Sequence, residues 1–318
     1  MRIVVLDGYT VNPGDNPWMD VEKLGDLTVY DRTPGEQILA RARGAAVILT
    51  NKTPLSAATL AQLPGLKFIS VLATGYNIVD TAAARKLGIP VSNVPVYGTD
   101  SVAQFVFALL LEKCHHVSNH SDAVHRGDWT RSIDFCFWQS PLVELAGKRM
   151  GLVGFGRIGR RVGELAHAFG MEVWAFDTVR GAPPKYQPFA FKSIEEIFAS
   201  CDVVSLHCPL TAENKGMVNR RLLGMMRKDA VLINTSRGPL VNEADLAESL
   251  NAGAIAGAAV DVVSAEPISA DNPLLSARNC TITPHIAWAT LEARRRLMKT
   301  TADNIAAFIA GRPINVVN

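Results

Sequence analysis

Three short segments in the second half of the chain carry a cation, an anion and a proton carrier, in that order. Arg237 stands in Asn-Thr-Ser-Arg-Gly at 234–238, Glu266 in Glu-Pro at 266–267, and His285 in Thr-Pro-His-Ile-Ala-Trp at 283–288. Hydride exchange with a 2-keto acid needs one group to hold a carboxylate, one to protonate a carbonyl oxygen and one to keep the proton carrier charged. The three segments therefore predict an enzyme in which Arg237, Glu266 and His285 are catalytic.

Arg237 follows Val231–Asn234, an apolar run with the composition of a buried strand. A residue in this place projects from the carboxyl edge of a parallel sheet, where ligands bind in such folds. The planar guanidinium suits a two-point grip on a substrate carboxylate, which lysine cannot reproduce. An arginine that binds only a cofactor phosphate or a surface acid would occupy the same place, so the position alone leaves both interpretations open.

His285 follows Pro284 just after the last predicted strand, but the chain contains 7 histidines, so one histidine alone is weak evidence. Glu266 lies in the loop after the predicted strand Ala256–Val260, and by itself it is equally well a solvent-facing acid. A carboxylate beside an imidazole raises the histidine pKa and keeps it a proton donor near neutral pH. The place of both residues on successive strand ends favours a functional pair.

A glycine-rich turn precedes these segments and has the spacing of a dinucleotide-binding site. Gly154 permits a tight turn, Gly156 lets the backbone approach a pyrophosphate, and Gly159 allows close packing of a helix on a strand. The N-terminal amides of the helix would then hold the phosphates. Glycine-rich turns also occur in other α/β proteins, but the strand before this one and the amphipathic helix after it favour cofactor binding.

Asp177 ends the next predicted strand, close to the interval of about 20 residues expected after the first glycine. A carboxylate there accepts hydrogen bonds from the ribose hydroxyls of adenosine and repels a 2′-phosphate. The predicted cofactor is therefore NAD, with NADH preferred over NADPH. Arg180 lies three residues further on and would soften this preference if it faced the ribose; the other interpretation is a solvated surface arginine.

Short apolar runs alternate with segments of helical period along the whole chain, which is typical of parallel α/β architecture. Two series of strands indicate two doubly wound, Rossmann-like parallel-sheet domains with a cleft between them. The first series is Ile3–Asp7, Leu27–Tyr30, Ala46–Thr50, Phe68–Leu72 and Pro90–Asn93. The second series is Met150–Val153, Val173–Phe176, Val203–His207, Val231–Asn234, Ala256–Val260 and Thr281–Thr283.

Three helices are predicted around these strands. Ser101-Val-Ala-Gln104 is typical of a capping box and would open a helix from Val102 to about Cys114. The pattern of Leu291–Ile309 predicts a long C-terminal helix that returns to the first unit. The helix after the glycine turn ends at Gly170, and its apolar face comprises Ile158, Val162, Leu165, Ala166 and Phe169.

The composition excludes several classes of function. A net charge of +2 over 318 residues does not support a nucleic-acid partner, and the run Arg294-Arg295-Arg296 is expected to be a solvated helix face. The most apolar stretch, Val102–Leu111, is too short to span a bilayer, so no membrane association is expected. Met1 leads directly into a strand, which argues against a signal peptide.

The 5 cysteines are odd in number and form no C-x-x-C pair, so reduced thiols in the cytoplasm are expected and no metal site is supported. Their simplest role is that of small buried hydrophobic residues. They are Cys114, Cys136, Cys201, Cys208 and Cys280.

Five ordered motifs resemble those of the D-isomer-specific 2-hydroxyacid dehydrogenases, over essentially the full length of the chain. Ala73-Thr-Gly-Tyr-Asn-Ile-Val-Asp80 resembles the family's substrate loop, and Gly154–Gly159 resembles its cofactor turn. Residues 234–238, 261–267 and 283–288 resemble its three active-site signatures. The family often has Asp where Asn77 stands, which leaves the charge of the substrate loop open.

The resemblance implies a role for each matching residue. Arg237 would orient the substrate, Glu266 would support the histidine, and His285 would be the acid/base. Main-chain amides at Thr74 and Gly75 would bind the carboxylate, and Trp288 would contact the substrate. Positions that match cofactor contacts are Thr74, Gly154, Gly156, Arg157, Ile158, Gly159, Asp177, Cys208, Thr235 and Asp261, the last beside the nicotinamide carboxamide.

The family fold also implies how the chain is divided. Residues 1–98 with 288–318 would form a substrate-binding lid domain, and residues 99–287 would form the NAD-binding Rossmann domain. Family members are usually homodimers joined through the segment after the crossover, here about 99–147. No regulatory extension follows residue 318, which argues against the larger phosphoglycerate dehydrogenases.

Within the family, the motifs look most like those of glycerate dehydrogenases, also called hydroxypyruvate reductases. The segments concerned are 75–77, 99–104, 134–138 and 285–288. The aromatic residues that could line the substrate pocket, with core packing as the alternative, are Tyr76, Tyr97, Trp138 and Trp288.

The implied reaction is hydride transfer from NADH to the keto carbon of hydroxypyruvate or glyoxylate, giving D-glycerate or glycolate. One rival is an NAD(H)-sensing, corepressor-like binding protein without significant turnover. Another is a dehydrogenase for phosphite, formate or a bulkier keto acid; formate is disfavoured because the family pattern for it has Gln where Glu266 stands.

Overall fold

The computed structural model describes all residues from 1 to 318, and their contacts divide the chain into two compact units. Unit 1 comprises Met1–Gly98 and Trp288–Asn318, and unit 2 comprises Thr99–Ala287. Each unit is built on one parallel sheet, so the predicted fold class of two parallel α/β units is confirmed. No helix in the chain is both long enough and apolar enough to cross a bilayer.

Twelve strands and eleven α-helices make up the two units. The strands are β1 Arg2–Val5, β2 Asp26–Val29, β3 Val47–Thr50, β4 Phe68–Val71, β5 Val91–Ser92, β6 Arg149–Val153, β7 Glu172–Phe176, β8 Phe189–Phe191, β9 Val203–Leu206, β10 Val231–Asn234, β11 Gly257–Val260 and β12 Cys280–Ile282. The helices are α1 Met19–Glu22, α2 Ile38–Ala42, α3 Ala57–Ala61, α4 Thr81–Lys86, α5 Thr99–His115, α6 Val117–His125, α7 Arg157–Ala168, α8 Ile194–Ser200, α9 Arg220–Leu223, α10 Glu243–Asn251 and α11 Leu291–Ile309.

The sheet of unit 1 has the strand order β2-β1-β3-β4-β5. Successive residues of its central strands point to opposite faces, and both faces are buried because helices cover each of them. One face packs against α11, whose start and end are those predicted from the sequence pattern. The other face packs against α2, α3 and α4. The continuous apolar runs of β3 and β4 follow from this two-sided burial.

The sheet of unit 2 has the strand order β12-β11-β10-β9-β6-β7-β8. The chain leaves β6 towards β7 on one side and later returns to β9 on the other, so the strand order reverses between β6 and β9. Ligands of open α/β sheets bind at the carboxyl ends of the strands beside such a reversal. The glycine turn follows β6, and the segments with Arg237 and His285 follow β10 and β12 at the same edge.

Two features of unit 2 correct the sequence predictions. Strand β8, at the edge of the sheet, was not predicted, because its three residues are too few to show a period. Helix α5 begins at Thr99, so Ser101 is an interior helical residue and not the capping residue that was predicted. The Ser101 side chain is buried and its hydroxyl donates to the Ala287 carbonyl, 2.6 Å away, so the tertiary contact takes the place of the cap.

Two surface expectations are also wrong in part. Arg294 is buried, and its guanidinium donates to both carboxylate oxygens of Asp15, at 2.5 and 2.7 Å, instead of lying on a solvated face. Arg296 donates from Nε to the Tyr97 carbonyl at 2.9 Å. Cys136 is exposed, whereas Cys114 and Cys201 are buried as expected for small apolar residues.

Candidate active site

The glycine turn after β6 has the close packing that its sequence predicts. Gly154 has φ +98°, and a Cβ there would lie 2.6 Å from the Cys208 amide nitrogen. A Cβ on Gly159 would lie 2.1 Å from the Gly154 carbonyl oxygen. These distances exclude side chains, so both glycines are required where the turn, α7 and the end of β9 meet.

Gly156 differs from the other two glycines because a Cβ there would meet no atom within 4 Å. It is the N-cap of α7, and no side chain caps the helix amides. An open space in front of uncapped helix amides fits the pyrophosphate of a dinucleotide. The residues present therefore suit a nicotinamide cofactor at this turn.

Asp177 is tied directly to the glycine turn. Its Oδ2 accepts from the Phe155 amide at 2.7 Å, and its Oδ1 accepts from the Val179 amide at 3.0 Å. The sequence predicted a ribose contact for Asp177 but not this second role as a brace of the turn. Arg180 stands over the ring of Phe191, 5.6 Å from its centroid.

Four further predicted cofactor residues of unit 2 differ in how exposed they are. Ile158 packs against the hydrophobic core, whereas Arg157 is exposed at the first position of α7. The Thr235 hydroxyl is buried without a hydrogen-bond partner, which marks a polar group available to a ligand. Burial raises the pKa of the Cys208 thiol to about 11, so it stays protonated, and its carbonyl accepts from the Ser236 hydroxyl at 2.6 Å.

The loop that carries Arg237 is shaped by Asn234. Its side chain accepts from the Ser236 amide at 3.0 Å and donates to the Arg237 carbonyl at 2.9 Å. The exposed Arg237 guanidinium donates to the Ser236 carbonyl at 2.8 Å. Its orientation is thus set by its own loop and not by a protein carboxylate.

Gly238 brings the Arg237 loop against the loop that follows β11. A Cβ on Gly238 would lie 1.9 Å from the carbonyl carbon of Val263 and 2.0 Å from its oxygen. The Val263 amide donates to Glu266 Oε1 at 3.3 Å. Arg237 and Glu266 therefore stand on two loops in direct backbone contact, although they are far apart in sequence.

His285 and Glu266 form the predicted pair. The imidazole Nδ1 lies 2.7 Å from Glu266 Oε2, and the side chains are 29% and 34% exposed, respectively. With Nδ1 held by a carboxylate, Nε2 is the ring nitrogen left to exchange a proton with a substrate. The partial exposure of both groups leaves that nitrogen reachable from solvent.

Asp261 builds the loop on which His285 stands. Its Oδ1 accepts from the Thr283 hydroxyl at 2.6 Å and the Ile286 amide at 2.9 Å, and its Oδ2 accepts from the Ala287 amide at 2.8 Å. Burial raises the pKa of this carboxyl, against the opposing effect of these hydrogen bonds. The sequence predicted a nicotinamide contact for Asp261 and missed its role in the loop.

The backbone of His285 is in the left-handed region, with φ +55°. Its amide donates to the Asp261 carbonyl at 2.8 Å, which helps to hold this conformation. A non-glycine residue in this region costs on the order of 1 kcal/mol or more and persists only where its surroundings fix it. The strain therefore lies at the residue that the sequence predicts to be the proton carrier.

The predicted substrate-binding residues Thr74, Gly75 and Trp288 lie in unit 1, whereas the predicted catalytic residues lie in unit 2. Thr74 follows β4, and its hydroxyl donates to the Val94 carbonyl at 2.8 Å. Trp288 is partly buried, with its ring edge-on to Tyr97 at a centroid distance of 6.2 Å. No group of three or more His, Cys, Asp or Glu side chains is placed to hold a metal ion.

Comparison with known proteins identifies the family. The family described as D-isomer specific 2-hydroxyacid dehydrogenase, NAD binding domain, matches residues 107–287, all of them in unit 2. The chain belongs to the D-isomer-specific 2-hydroxyacid dehydrogenase family and is an oxidoreductase with a nicotinamide-binding domain.

Named relatives narrow the similarity further. The chain is 48% identical to a hydroxypyruvate reductase from Blautia hydrogenotrophica, with 100% of both chains covered. It is 40% identical to a glycerate dehydrogenase from Methylorubrum extorquens, over 89% of this chain and 88% of the relative. The crystal structure of the TT0316 protein from Thermus thermophilus matches with a TM-score of 0.87 and 34% identity, covering 100% of both chains.

Proposed function

We propose that this protein reduces a small 2-keto acid, hydroxypyruvate or glyoxylate, to the D-2-hydroxy acid, D-glycerate or glycolate, with NADH. The observation that carries the proposal is the 2.7 Å contact between His285 and Glu266 at the carboxyl edge of a nicotinamide-binding sheet. Relatives that cover the whole chain or most of it are a hydroxypyruvate reductase and a glycerate dehydrogenase, which supports this substrate class.

His285 is the acid and base of the proposed reaction. In reduction, the protonated imidazole donates its Nε2 proton to the substrate carbonyl oxygen, while Glu266 accepts from Nδ1. Glu266 thereby fixes the ring orientation and stabilises the imidazolium by its negative charge. In oxidation, the neutral imidazole takes the hydroxyl proton back. Reduction should therefore fall with rising pH, and oxidation should rise.

Arg237 and unit 1 bind the substrate carboxylate. The guanidinium of Arg237 matches a carboxylate in charge and in planar geometry. We assign the substrate-binding role to unit 1, with main-chain amides at Thr74 and Gly75 as donors and Trp288 as an apolar contact. The support from the structure is that no protein acceptor takes the amides of Thr74 or Gly75.

Asp177 selects the cofactor. When bound, NADH supplies the hydride. Each carboxylate oxygen of Asp177 accepts a backbone amide, and the lone pairs that remain can accept from ribose hydroxyls. A 2′-phosphate would meet this negative charge, so NADH should be used in preference to NADPH.

One kinetic assay tests the proposed function. Oxidation of NADH is followed with hydroxypyruvate, glyoxylate, pyruvate and phenylpyruvate, and each assay is repeated with NADPH. We expect a higher kcat/KM for hydroxypyruvate and glyoxylate than for pyruvate and phenylpyruvate, and a higher kcat/KM with NADH than with NADPH. Negligible turnover with all four, together with NADH-dependent association with a protein partner, would replace the proposal by the NAD(H)-sensing alternative.

We also propose that the protein forms a homodimer through residues of about 99–147. This segment exposes a set of large apolar side chains, which is unusual for a surface in contact with water only. They are Val117, Val124, Trp129, Ile133, Phe135, Trp138, Leu142 and Val143. Burial against a second copy of the chain would remove them from water.

A further inference from the structure

The loop after β4 is fixed from one side by the two residues that follow β5. The Val94 amide donates to the Ala73 carbonyl at 3.0 Å, and the Asn93 side-chain Nδ2 donates to the Thr74 carbonyl at 2.7 Å. The Thr74 hydroxyl returns a hydrogen bond to the Val94 carbonyl at 2.8 Å. Two successive carbonyls of the loop are thus held towards the same short segment.

Fixing these carbonyls also fixes the amides that follow them. In a planar trans peptide the N–H points opposite to the preceding C=O. Since the Ala73 and Thr74 carbonyls both face the segment at 93–94, the Thr74 and Gly75 amides both point away from it. Neither amide has an acceptor in the protein. Two successive free amides on the same side of a loop can together bind an anion.

Asn93 is itself held by a relay of amide side chains. It is 7% exposed, its own amide donates to the Asn315 carbonyl at 3.1 Å, and its carbonyl accepts from Asn304 Nδ2 at 2.9 Å. Asn315 Nδ2 donates to Asn304 Oδ1 at 2.8 Å, and Asn304 is completely buried on α11. These contacts fix the backbone of Asn93, from which the buried side chain places its Nδ2 2.7 Å from the Thr74 carbonyl.

We propose that Asn93 is a positioning residue that aims the Gly75 amide at the substrate carboxylate. The inference rests on the proposed function, because it takes the substrate anion to be the ligand of the Thr74 and Gly75 amides. The residue type follows from the chemistry, since the amide supplies an N–H to the carbonyl. An aspartate of the same shape would present only lone pairs to the Thr74 oxygen and would turn the peptide away.

The test compares Asn93→Asp with Asn16→Asp. Asn16 is a matched control because it lies in the same unit, is 3% exposed, and donates from Nδ2 to a backbone carbonyl, that of Val11, at 3.1 Å. KM and kcat for the keto acid, the Kd of NADH, and the Kd of oxalate in the presence of NADH are measured for both variants and the wild type. Oxalate is the probe because it carries the same carboxylate without reacting.

Asn93→Asp should raise the keto acid KM and the oxalate Kd roughly tenfold or more, the effect of losing one oriented hydrogen bond to a charged group. The Kd of NADH and the kcat should change no more than in Asn16→Asp. Lowering the pH should reduce the defect relative to wild type, because the protonated carboxyl regains a donor for the Thr74 carbonyl. The hydrogen-bond partners of Asn93 are uncharged, so none of them titrates with the introduced carboxyl.

The turnover of the wild type distinguishes a failure of the proposed function from a failure of the role proposed for Asn93. If the wild type reduces none of the keto acids, the proposed function fails before the variants are compared. If it reduces them and Asn93→Asp binds oxalate as tightly as Asn16→Asp does, the role of Asn93 is wrong and the function stands. Asn93→Ala provides a second measurement of the same effect. Its oxalate binding is followed by NADH fluorescence, so that only folded molecules contribute. Failure of both Asn93 variants to fold would assign the residue to stability and overturn the inference.

Discussion

His285 combines three properties that a proton carrier needs. Its Nδ1 is fixed by Glu266 at 2.7 Å, its side chain stays partly exposed, and its strained backbone is held by Asp261. Positive φ is tolerated by histidine and asparagine better than by branched residues. The conformation therefore aims the ring without requiring glycine.

Replacing the imidazole should abolish most of the turnover. His285→Asn keeps a residue that accepts the left-handed backbone but removes the group that carries a proton. We expect kcat to fall roughly a hundred- to ten-thousand-fold, the usual contribution of a general acid, while NADH binding is retained. Steady-state kinetics and an NADH titration measure the two effects, and turnover near that of the wild type would remove His285 from this role.

The acid partner should be visible in the turnover number. Glu266→Gln retains the shape of the side chain but loses the negative charge that stabilises the imidazolium. We expect kcat for keto acid reduction to fall roughly tenfold or more, the effect of losing one hydrogen bond between charged groups, while the Kd of NADH stays unchanged. Steady-state kinetics and an NADH titration provide the measurement. A kcat equal to that of the wild type would contradict the pairing.

The end of β6 and the start of α7 meet at the glycine turn, where the three glycines are required for two different reasons. Gly154 and Gly159 are required by contacts within the protein, whereas Gly156 faces open space. The turn thus contains two glycines required by folding and one whose surroundings leave room for a ligand. Packing between elements alone would not require Gly156.

Alanine substitutions should separate these two requirements. Gly156 has φ −76° and a Cβ there would displace no neighbour, so Gly156→Ala should change the thermal stability little while NADH binding weakens. Gly159→Ala would place its Cβ 2.1 Å from the Gly154 oxygen, so it should destabilise unit 2 even without cofactor. Thermal unfolding and NADH titration of both variants test this. Equal loss of stability in the two would show that Gly156 is also a packing residue.

The stability of the complete chain also depends on buried titratable groups outside the catalytic set, and His207, which lies beside the glycine turn, is the clearest of them. Burial lowers the pKa of its imidazole to about 3, and its Nε2 lies 2.9 Å from the Ser205 hydroxyl. The unfolded state takes up a proton near about pH 6.5 and the folded state does not. The stabilising contribution is therefore complete above about pH 6.5 and is lost as the pH falls towards about 3.

His207→Asn should remove this pH dependence while its amide retains a partner for Ser205. In the wild type, His207 should lower the free energy of unfolding by up to about 1.4 kcal/mol per pH unit below about pH 6.5. Urea denaturation of the wild type and His207→Asn at about pH 7.5 and about pH 4.5 measures the free energy of unfolding of each. The carboxylates titrate in both proteins, so the difference between the two decreases is the contribution of His207. An equal decrease in the free energy of unfolding of the two proteins would contradict the conclusion that the His207 imidazole is buried in its neutral form.

Assembly should depend on the apolar side chains exposed between 117 and 143. Ile133 and Phe135 are 99% and 89% exposed, so the double substitution Ile133→Asp with Phe135→Asp removes apolar area without disturbing the core of a single chain. The wild type should have the mass of a dimer in light scattering, and the variant should be monomeric with an unchanged circular dichroism spectrum. A wild type that is monomeric at all concentrations would exclude the proposed interface.

Local patterns were sufficient for most of the framework. The short apolar runs predicted eleven of the strands, because strands that are buried on both faces of a parallel sheet consist of consecutive apolar residues. The helix Leu291–Ile309 was predicted to the residue, since its apolar face repeats over 19 positions. Short β8 carries no such repeat, and the cap expected at Ser101 was displaced by a contact with Ala287, 186 positions away in sequence.

The sequence by itself determined which chemical groups the site has, because Arg237, Glu266, His285 and the three glycines stand in motifs defined by residue type and spacing. The tertiary structure alone decided how these groups are held. The contact of Gly238 with Val263, the hold of Asp261 on the His285 loop and the hydrogen bond from Asn93 to Thr74 each join segments far apart in the chain. Contacts of this kind leave no period in the local sequence, since they arise only when loops from different strands meet at one edge of a sheet.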